Sequence, residues 1–284
     1  MKKHDDFDIW LHDDDELSAI AEANVVTRET LRCWPLSVVE LVTFSDGMSR
    51  VYKAFRNLPT EIQFYQQVRS QNIPRVYYSH SEADRHWLLL ENVEGQCPDK
   101  LNREQIIDLC SRVREIIAGL GPAGPYRLNL SEGHYDEFIG STVGQLERLR
   151  QEGKLSLVDE EVIAGVRAAL SHPEVLRSVR GRCTVLHGDL KCDNILIRPD
   201  GEMVIIDWQN VLFGPEEIDL CHLMTDCDMD PVPIAGTGPE ILRSALIMRW
   251  FADCADRWLQ YWAGFYDGKI AEMAKHMRHV IESS

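Results

Sequence analysis

Apolar and β-branched residues from Val25 onward predict strands over Val25–Trp34 and Ser37–Phe44, joined through Pro35-Leu36. Ser45-Asp46-Gly47 reads as a turn, and Arg50–Phe55 as a third strand. A helix follows over Thr60–Ser70, with Thr60-x-x-Gln63 as its expected capping box. Two more strands are expected at Arg75–Ser79 and His86–Leu90. Beyond residue 96 the pattern changes to the period of a helix. Phe138, Ile139, Val143, Leu146 and Leu149 mark one helix over His134–Gln151; others are expected over Leu101–Leu120, Asp159–His172, Glu216–Thr225, Pro239–Phe265 with a break, and Ala271–Glu282. The fold class is α+β, with an antiparallel sheet and one main helix first and a mostly helical region after. The boundary falls at about residue 94, dividing 1–94 from 95–284.

The helical pattern is interrupted once, at 184–208, TVLHGDLKCDNILIRPDGEMVIIDW. Ile195-Leu196-Ile197 and Met203-Val204-Ile205-Ile206 flank Arg198-Pro199-Asp200-Gly201, in which Pro presets φ and Gly permits φ > 0. This is a β-hairpin signature. Antiparallel pairing returns the chain to its starting edge and brings Asn194, before the first strand, close to Asp207, after the second. Asp189 precedes Asn194 by five positions. An amide oxygen and a carboxylate at one edge suit a hard cation such as Mg²⁺, which takes oxygen ligands from one or two carboxylates and from phosphate. The sheet holds a second candidate. In Val51-Tyr52-Lys53-Ala54-Phe55 the lysine shares a face with Val51 and Phe55, a costly place for an ammonium without a partner or a task.

The stretch His187-Gly188-Asp189 with Asn194 and Ile206-Asp207-Trp208 resembles the catalytic loop and metal segment of the protein-kinase-like superfamily, whose protein-kinase form is H-R-D-x-x-x-x-N followed by D-F-G. Gly188 in place of Arg, and Asp207-Trp208 in place of D-F-G, point to its small-molecule branch, the aminoglycoside phosphotransferases and choline-kinase-like enzymes. The resemblance implies a two-lobed fold and transfer of the γ-phosphate of ATP or GTP to an alcohol. Asp189 is then the base, and Asn194 and Asp207 hold Mg²⁺. Lys53 holds the α/β-phosphates and is paired by Glu61, while Glu91, Asn92 and Val93 join the lobes and bind the adenine through their backbone. His187 braces the loop. Asp219 is either the helix aspartate that ties the loop down or a surface carboxylate. Lys191 is either a phosphate contact or a solvated lysine. The glycine-rich phosphate loop is not found; Cys33-Trp34-Pro35-Leu36-Ser37 occupies its place. The string Gly119-Leu120-Gly121-Pro122-Ala123-Gly124 follows a helix and comes after Lys53, so it reads as a linker and not a nucleotide loop.

Composition narrows the partner. The 284 residues carry 46 acidic against 30 basic side chains, a net charge of −16. That disfavours nucleic acid and anionic membrane and favours a cationic acceptor, although acidity also serves solubility. Glu216, Asp226 and Asp228 follow the metal segment and are the candidate acceptor-binding carboxylates. An aminoglycoside-type antibiotic fits that picture; choline, homoserine or a sugar-like alcohol is the alternative, and a catalytically silent nucleotide-binding regulator a third. Eight cysteines without a C-x-x-C pair read as reduced thiols in a cytoplasmic protein. Residues 1–24 hold no apolar signal segment; seven carboxylates within 5–16 suggest an acidic arm leading into a short helix.

Overall fold

The computed structural model describes residues 1–57, 59–120 and 126–284, so Gly121–Gly124 of the glycine string lie outside the described residues. The chain divides into two compact units. The first contains Met1–Asp99 together with Asp193–Val211; the second contains Lys100–Ala118, Tyr126–Cys192 and Leu212–Ser284.

The first unit is built on a five-stranded antiparallel sheet of order β3-β4-β5-β7-β6: β3 (Val25–Trp34), β4 (Ser37–Phe44), β5 (Ser49–Arg56), β6 (Val76–Glu82) and β7 (Arg85–Glu91). One face takes Val38, Val42, Phe44, Tyr52, Ala54, Trp87 and Leu89 into a buried cluster. The acidic arm closes that cluster. Its strands β1 (Lys2–Lys3) and β2 (Trp10–Leu11) pair, the loop between them supplies the buried Ile9, and its helix α1 (Asp14–Ala21) supplies Leu17. Asp13 caps α1 through a reciprocal capping box with Glu16. The Trp87 indole N–H donates to the Trp10 carbonyl at 2.7 Å, and His12 Nδ1 lies 3.0 Å from the Tyr52 hydroxyl. The arm is thus an integral layer of this unit.

Helix α2 (Pro59–Gln67) packs on the other face. It opens at Pro59, a residue suited to a first helical position, so Thr60 lies inside the first turn and the expected Thr60–Gln63 capping box is corrected. The late segment brings the hairpin β10 (Ile195–Ile197) and β11 (Met203–Ile205), in register Ile195↔Ile205, with Gly201 at φ +89° closing the turn onto the Arg198 carbonyl at 2.9 Å. Trp208 is fully buried, stacks on Phe64 of α2 at 4.3 Å and donates its indole N–H to the Ile205 carbonyl. Asn72 adds a second tie: its side-chain amide donates to the Met203 carbonyl, and its own carbonyl accepts from Ile205 N–H.

The second unit is helical around one apolar core: α3 (Arg103–Gly119), α4 (Glu132–Gln151), α5 (Glu160–Leu170), α6 (Pro173–Arg180), α7 (Ile218–Asp226), α8 (Val232–Ala235), α9 (Thr237–Asp253) and α10 (Ala263–Glu282). The expectation of helices alone, apart from the hairpin, needs correcting. A three-stranded sheet of order β8-β12-β9 joins β8 (Leu128–Asn129), β9 (Cys183–Leu186) and β12 (Leu212–Pro215). These strands are too short for alternation to show, and β12 holds a glycine and a proline. A Cβ on Gly214 would sit 3.2 Å from the Leu130 side chain, so close packing accounts for the glycine. Helix α6 was also unforeseen, and α10 begins at Ala263, not Ala271, after a π-turn over Cys254–Trp258 and a 3₁₀ turn over Gln260–Trp262. Among the described residues no helix is long and apolar enough to cross a membrane.

Candidate active site

The open face of the first unit's sheet and the hairpin line a cavity of about 380 Å³. Its wall includes Val39, Val51, Lys53 and Leu90 from the sheet, Glu61 and Tyr65 from α2, Glu91, Asn92 and Val93, and Asn194, Leu196, Ile206 and Asp207 beside the hairpin. A lining of apolar side chains with a few polar groups is the usual anatomy of a small-molecule pocket. Arg32, Trp34, Ser37, Asp193 and Gln209 line it too and were not among the candidates read from the sequence.

Period two puts Lys53 on the cavity face, as its strand predicts. Its ammonium donates to Glu61 Oε1 and Asp207 Oδ1, each at 2.7 Å. Lys53 is 9% exposed and Glu61 1%. The two carboxylates hold the Lys53 pKa above its usual value against the effect of burial. Burial pushes the Glu61 carboxyl up to about 7, with Asp207 adding to the rise and Lys53 opposing it. One ammonium shared by two carboxylates leaves the ionised triad with a net negative charge. If the pair acts as a unit, Lys53→Met and Glu61→Gln should each weaken phosphoryl transfer, and the double variant should lose less than the sum. Strict additivity in a double-mutant cycle contradicts that coupling.

Asp207 stands at φ 64°, ψ 54°, a left-handed conformation that Asp and Asn tolerate better than most residues. Ile206 N–H donates to the Asn194 carbonyl at 3.0 Å, fixing the two ends of the hairpin edge to side. Asn194 and the Asp207 carboxylate on one cavity wall, with Asp207 itself part of a triad of net negative charge, fit a hard divalent cation held only partly by protein. Among the described residues no group of three or more His, Cys, Asp or Glu could form an all-protein cage.

The expected adenine-binding residues Glu91, Asn92 and Val93 all line the cavity. The Glu91 carboxylate is committed: Oε1 pairs with Arg198 at 2.6 Å and Oε2 accepts from Arg75 N–H at 3.1 Å.

Asp189 belongs to the second unit. It is half-buried and its carboxylate pairs with Lys191 at 2.8 Å. Its loop is held from below. Asp219, at 4% exposure, accepts the N–H groups of His187 at 2.9 Å and Gly188 at 3.0 Å. Gly188 has φ +79°, which explains glycine there. Burial raises the Asp219 pKa, and the two backbone donors and His187 oppose the rise. Among the acidic candidates, Glu216 is engaged by Arg114 at 3.5 Å and Arg182 at 3.4 Å. Asp226 is exposed and accepts Cys192 N–H at 2.9 Å. Asp228 is exposed at φ 56°. All eight cysteines are free thiols.

The first unit thus holds a buried lysine–glutamate pair on its cavity wall, and the second a loop pinned by Asp219. Residues 48–264 match the model of the phosphotransferase enzyme family, and the chain belongs to that family. No curated protein sequence matches it. Among solved structures, it is similar to a thermostable mutant of aminoglycoside phosphotransferase APH(4)-Ia in ternary complex with ADP and hygromycin B, at 12% identity over 92% of this chain and 97% of that one, with a TM-score of 0.61. A choline/ethanolamine kinase family protein from Mesorhizobium loti gives 16% identity, 93% and 94% coverage and a TM-score of 0.58. A putative fructosamine-3-kinase from Thermobifida fusca gives 14%, 94% and 98%, and 0.57. At these identities the likeness is one of fold.

Proposed function

We propose that this phosphotransferase is a small-molecule kinase moving the γ-phosphate of ATP or GTP to a hydroxyl of a small acceptor. The observation that carries the reading is the cavity in which Lys53, paired with Glu61, lies beside Asp207 and Asn194. In this reading residues 1–94 supply most of the nucleotide site. Val39, Val51 and Leu90 hold the planar base against Leu196 and Ile206, the Asn92-Val93 backbone meets its edge, and Lys53 holds the α/β-phosphates. Asn194 and Asp207 would hold Mg²⁺, which neutralises charge on the phosphate oxygens. Residues 95–284 carry the base and the acceptor site. Asp189 accepts the hydroxyl proton as the acceptor oxygen bonds to the γ-phosphorus and the bond to the β-phosphate oxygen breaks, releasing the nucleoside diphosphate. Asp219 keeps the His187-Gly188 backbone, and hence Asp189, in position. The intact set of polar groups argues against a silent regulator.

For the acceptor, the net charge of −16 and the exposed Asp226 and Asp228 favour a cationic molecule of aminoglycoside type. Glu216 contributes little, because two arginines already engage it. That favours keeping a second acceptor class, a metabolite alcohol of the choline or fructosamine kind. Phosphate transfer from ATP and GTP should be followed across hydroxylated antibiotics, amino alcohols and sugar-like alcohols. A cationic acceptor predicts a KM that rises several-fold between low salt and about 0.5 M, where the Debye length falls well below the ~10 Å of 0.1 M salt, with little change in turnover at saturation. A salt-insensitive KM, or a neutral or anionic best substrate, selects the metabolite-alcohol reading. No transfer to any acceptor, with no nucleotide bound, overturns the kinase reading.

A further inference from the structure

The cavity presents four acidic side chains, Glu61, Glu91, Asp193 and Asp207, against two basic ones, Arg32 and Lys53. A nucleoside triphosphate is itself strongly anionic, so the disposition of the cations decides whether it can enter. Lys53 is shared between Glu61 and Asp207. Arg32 is different. It is exposed on the cavity wall, and among the described residues no hydrogen bond or ion pair engages its guanidinium. Its guanidinium carbon lies 5.7 Å from the centroid of the Trp34 ring.

Register puts this cation in line with the lysine. Arg32 pairs with Val39 across β3 and β4, and Val39 pairs with Lys53 across β4 and β5. Directly paired residues share a face, so Arg32, Val39 and Lys53 form one row on the cavity side, with the two cations two strand spacings apart, roughly 10 Å between backbones. Two long side chains over that span can converge on a triphosphate. The adjoining turn explains the need. A glycine-rich loop covers phosphates with backbone N–H groups, whereas this turn contains Pro35, which has none. Trp34 and Ser37 line the cavity next to Arg32, the indole N–H donating to the Ser37 hydroxyl, so the ring under the guanidinium is itself held. Arg32 lies outside residues 48–264, the part matching the family model.

We propose that Arg32, held over Trp34 beside Ser37, binds the terminal phosphates of the nucleotide and does the work of the phosphate loop this chain lacks. The inference rests on the kinase reading above. A planar guanidinium makes two parallel hydrogen bonds to phosphate, which a lysine does not reproduce. Calorimetric titration of the parent, Arg32→Ala, Arg32→Gln and Arg32→Lys with adenosine, AMP, ADP and ATP, in the presence of Mg²⁺, tests it. Arg32→Ala and Arg32→Gln should lose at least about tenfold in ATP affinity, less for ADP, and nothing for adenosine; Arg32→Lys should recover part of the loss. An ATP affinity unchanged in both neutral variants, or an equal loss for adenosine and ATP, overturns the assignment while the kinase reading stands. A parent that binds no nucleotide overturns both. The side chain is exposed, so melting temperatures should be unaltered, and the two neutral replacements guard against one that misfolds.

Discussion

Asp189→Asn should lower turnover by at least about 10²-fold, the contribution a positioned general base typically makes. The substitution keeps the shape of the side chain and removes its ability to take a proton. The loop should survive it, because its geometry is set elsewhere: Asp219 accepts the His187 and Gly188 N–H groups, and Leu190 is fully buried. The loss of the 2.8 Å contact with Lys191 weakens a partly exposed ion pair, a class worth about 0–1 kcal/mol. Nucleotide affinity should therefore barely move, and the defect should lie in single-turnover transfer and not in binding. Asp219→Asn gives the control for position: it weakens the support under the loop, so it should lower both stability and turnover, whereas Asp189→Asn should lower turnover alone. Near-normal single-turnover rates in Asp189→Asn would remove Asp189 from the mechanism.

The difference between what could be read from the chain and what could not follows from range. The hairpin with Asn194 and Asp207 at its edge was legible because the Arg198–Gly201 turn and both apolar runs lie within a short stretch. Lys53 was legible because β5 runs without a bulge, so period two holds through Val51–Phe55. Arg32 was not, because a bulge between Thr30 and Arg32 shifts the register of β3 and reassigns which side chains face the cavity. The role of Trp208 was equally hidden: its stacking on Phe64 depends on the distant α2. Asn72 is a polar loop residue whose importance appears only when its amide reaches Met203. The parallel pairing of Leu128–Asn129 with β12 is two residues long and has no periodic trace. The docking of the acidic arm was hidden for another reason. Seven carboxylates mask Ile9 and Leu17, the two buried apolar residues that dock it, and a sparse pattern of that kind carries little weight against the charge around it.

Asp207→Asn should abolish most of the Mg²⁺ dependence of nucleotide binding. Asn is chosen over Ala because position 207 has φ 64°, where Asn is at home and Ala is strained, so the backbone and the stacked Trp208 next to it should stay in place. What changes is charge. The carboxylate is the only fully anionic group in the proposed pair of metal ligands, and a hard cation held by few protein atoms depends on it. The same change alters the triad. Lys53 keeps Glu61, so the pair becomes neutral, and the upward push of Asp207 on the Glu61 pKa disappears. A raised carboxyl pKa means the folded protein binds that proton more tightly than the unfolded chain, so the parent loses stability as pH rises from the ordinary carboxylate range through about 7. Asp207→Asn should flatten that loss. Two independent readouts thus attend one substitution: calorimetry with and without Mg²⁺, and melting temperature from pH 5 to pH 8. Metal dependence equal to that of the parent would take Asp207 out of the metal site. An unchanged pH slope would mean that Glu61 does not sense it.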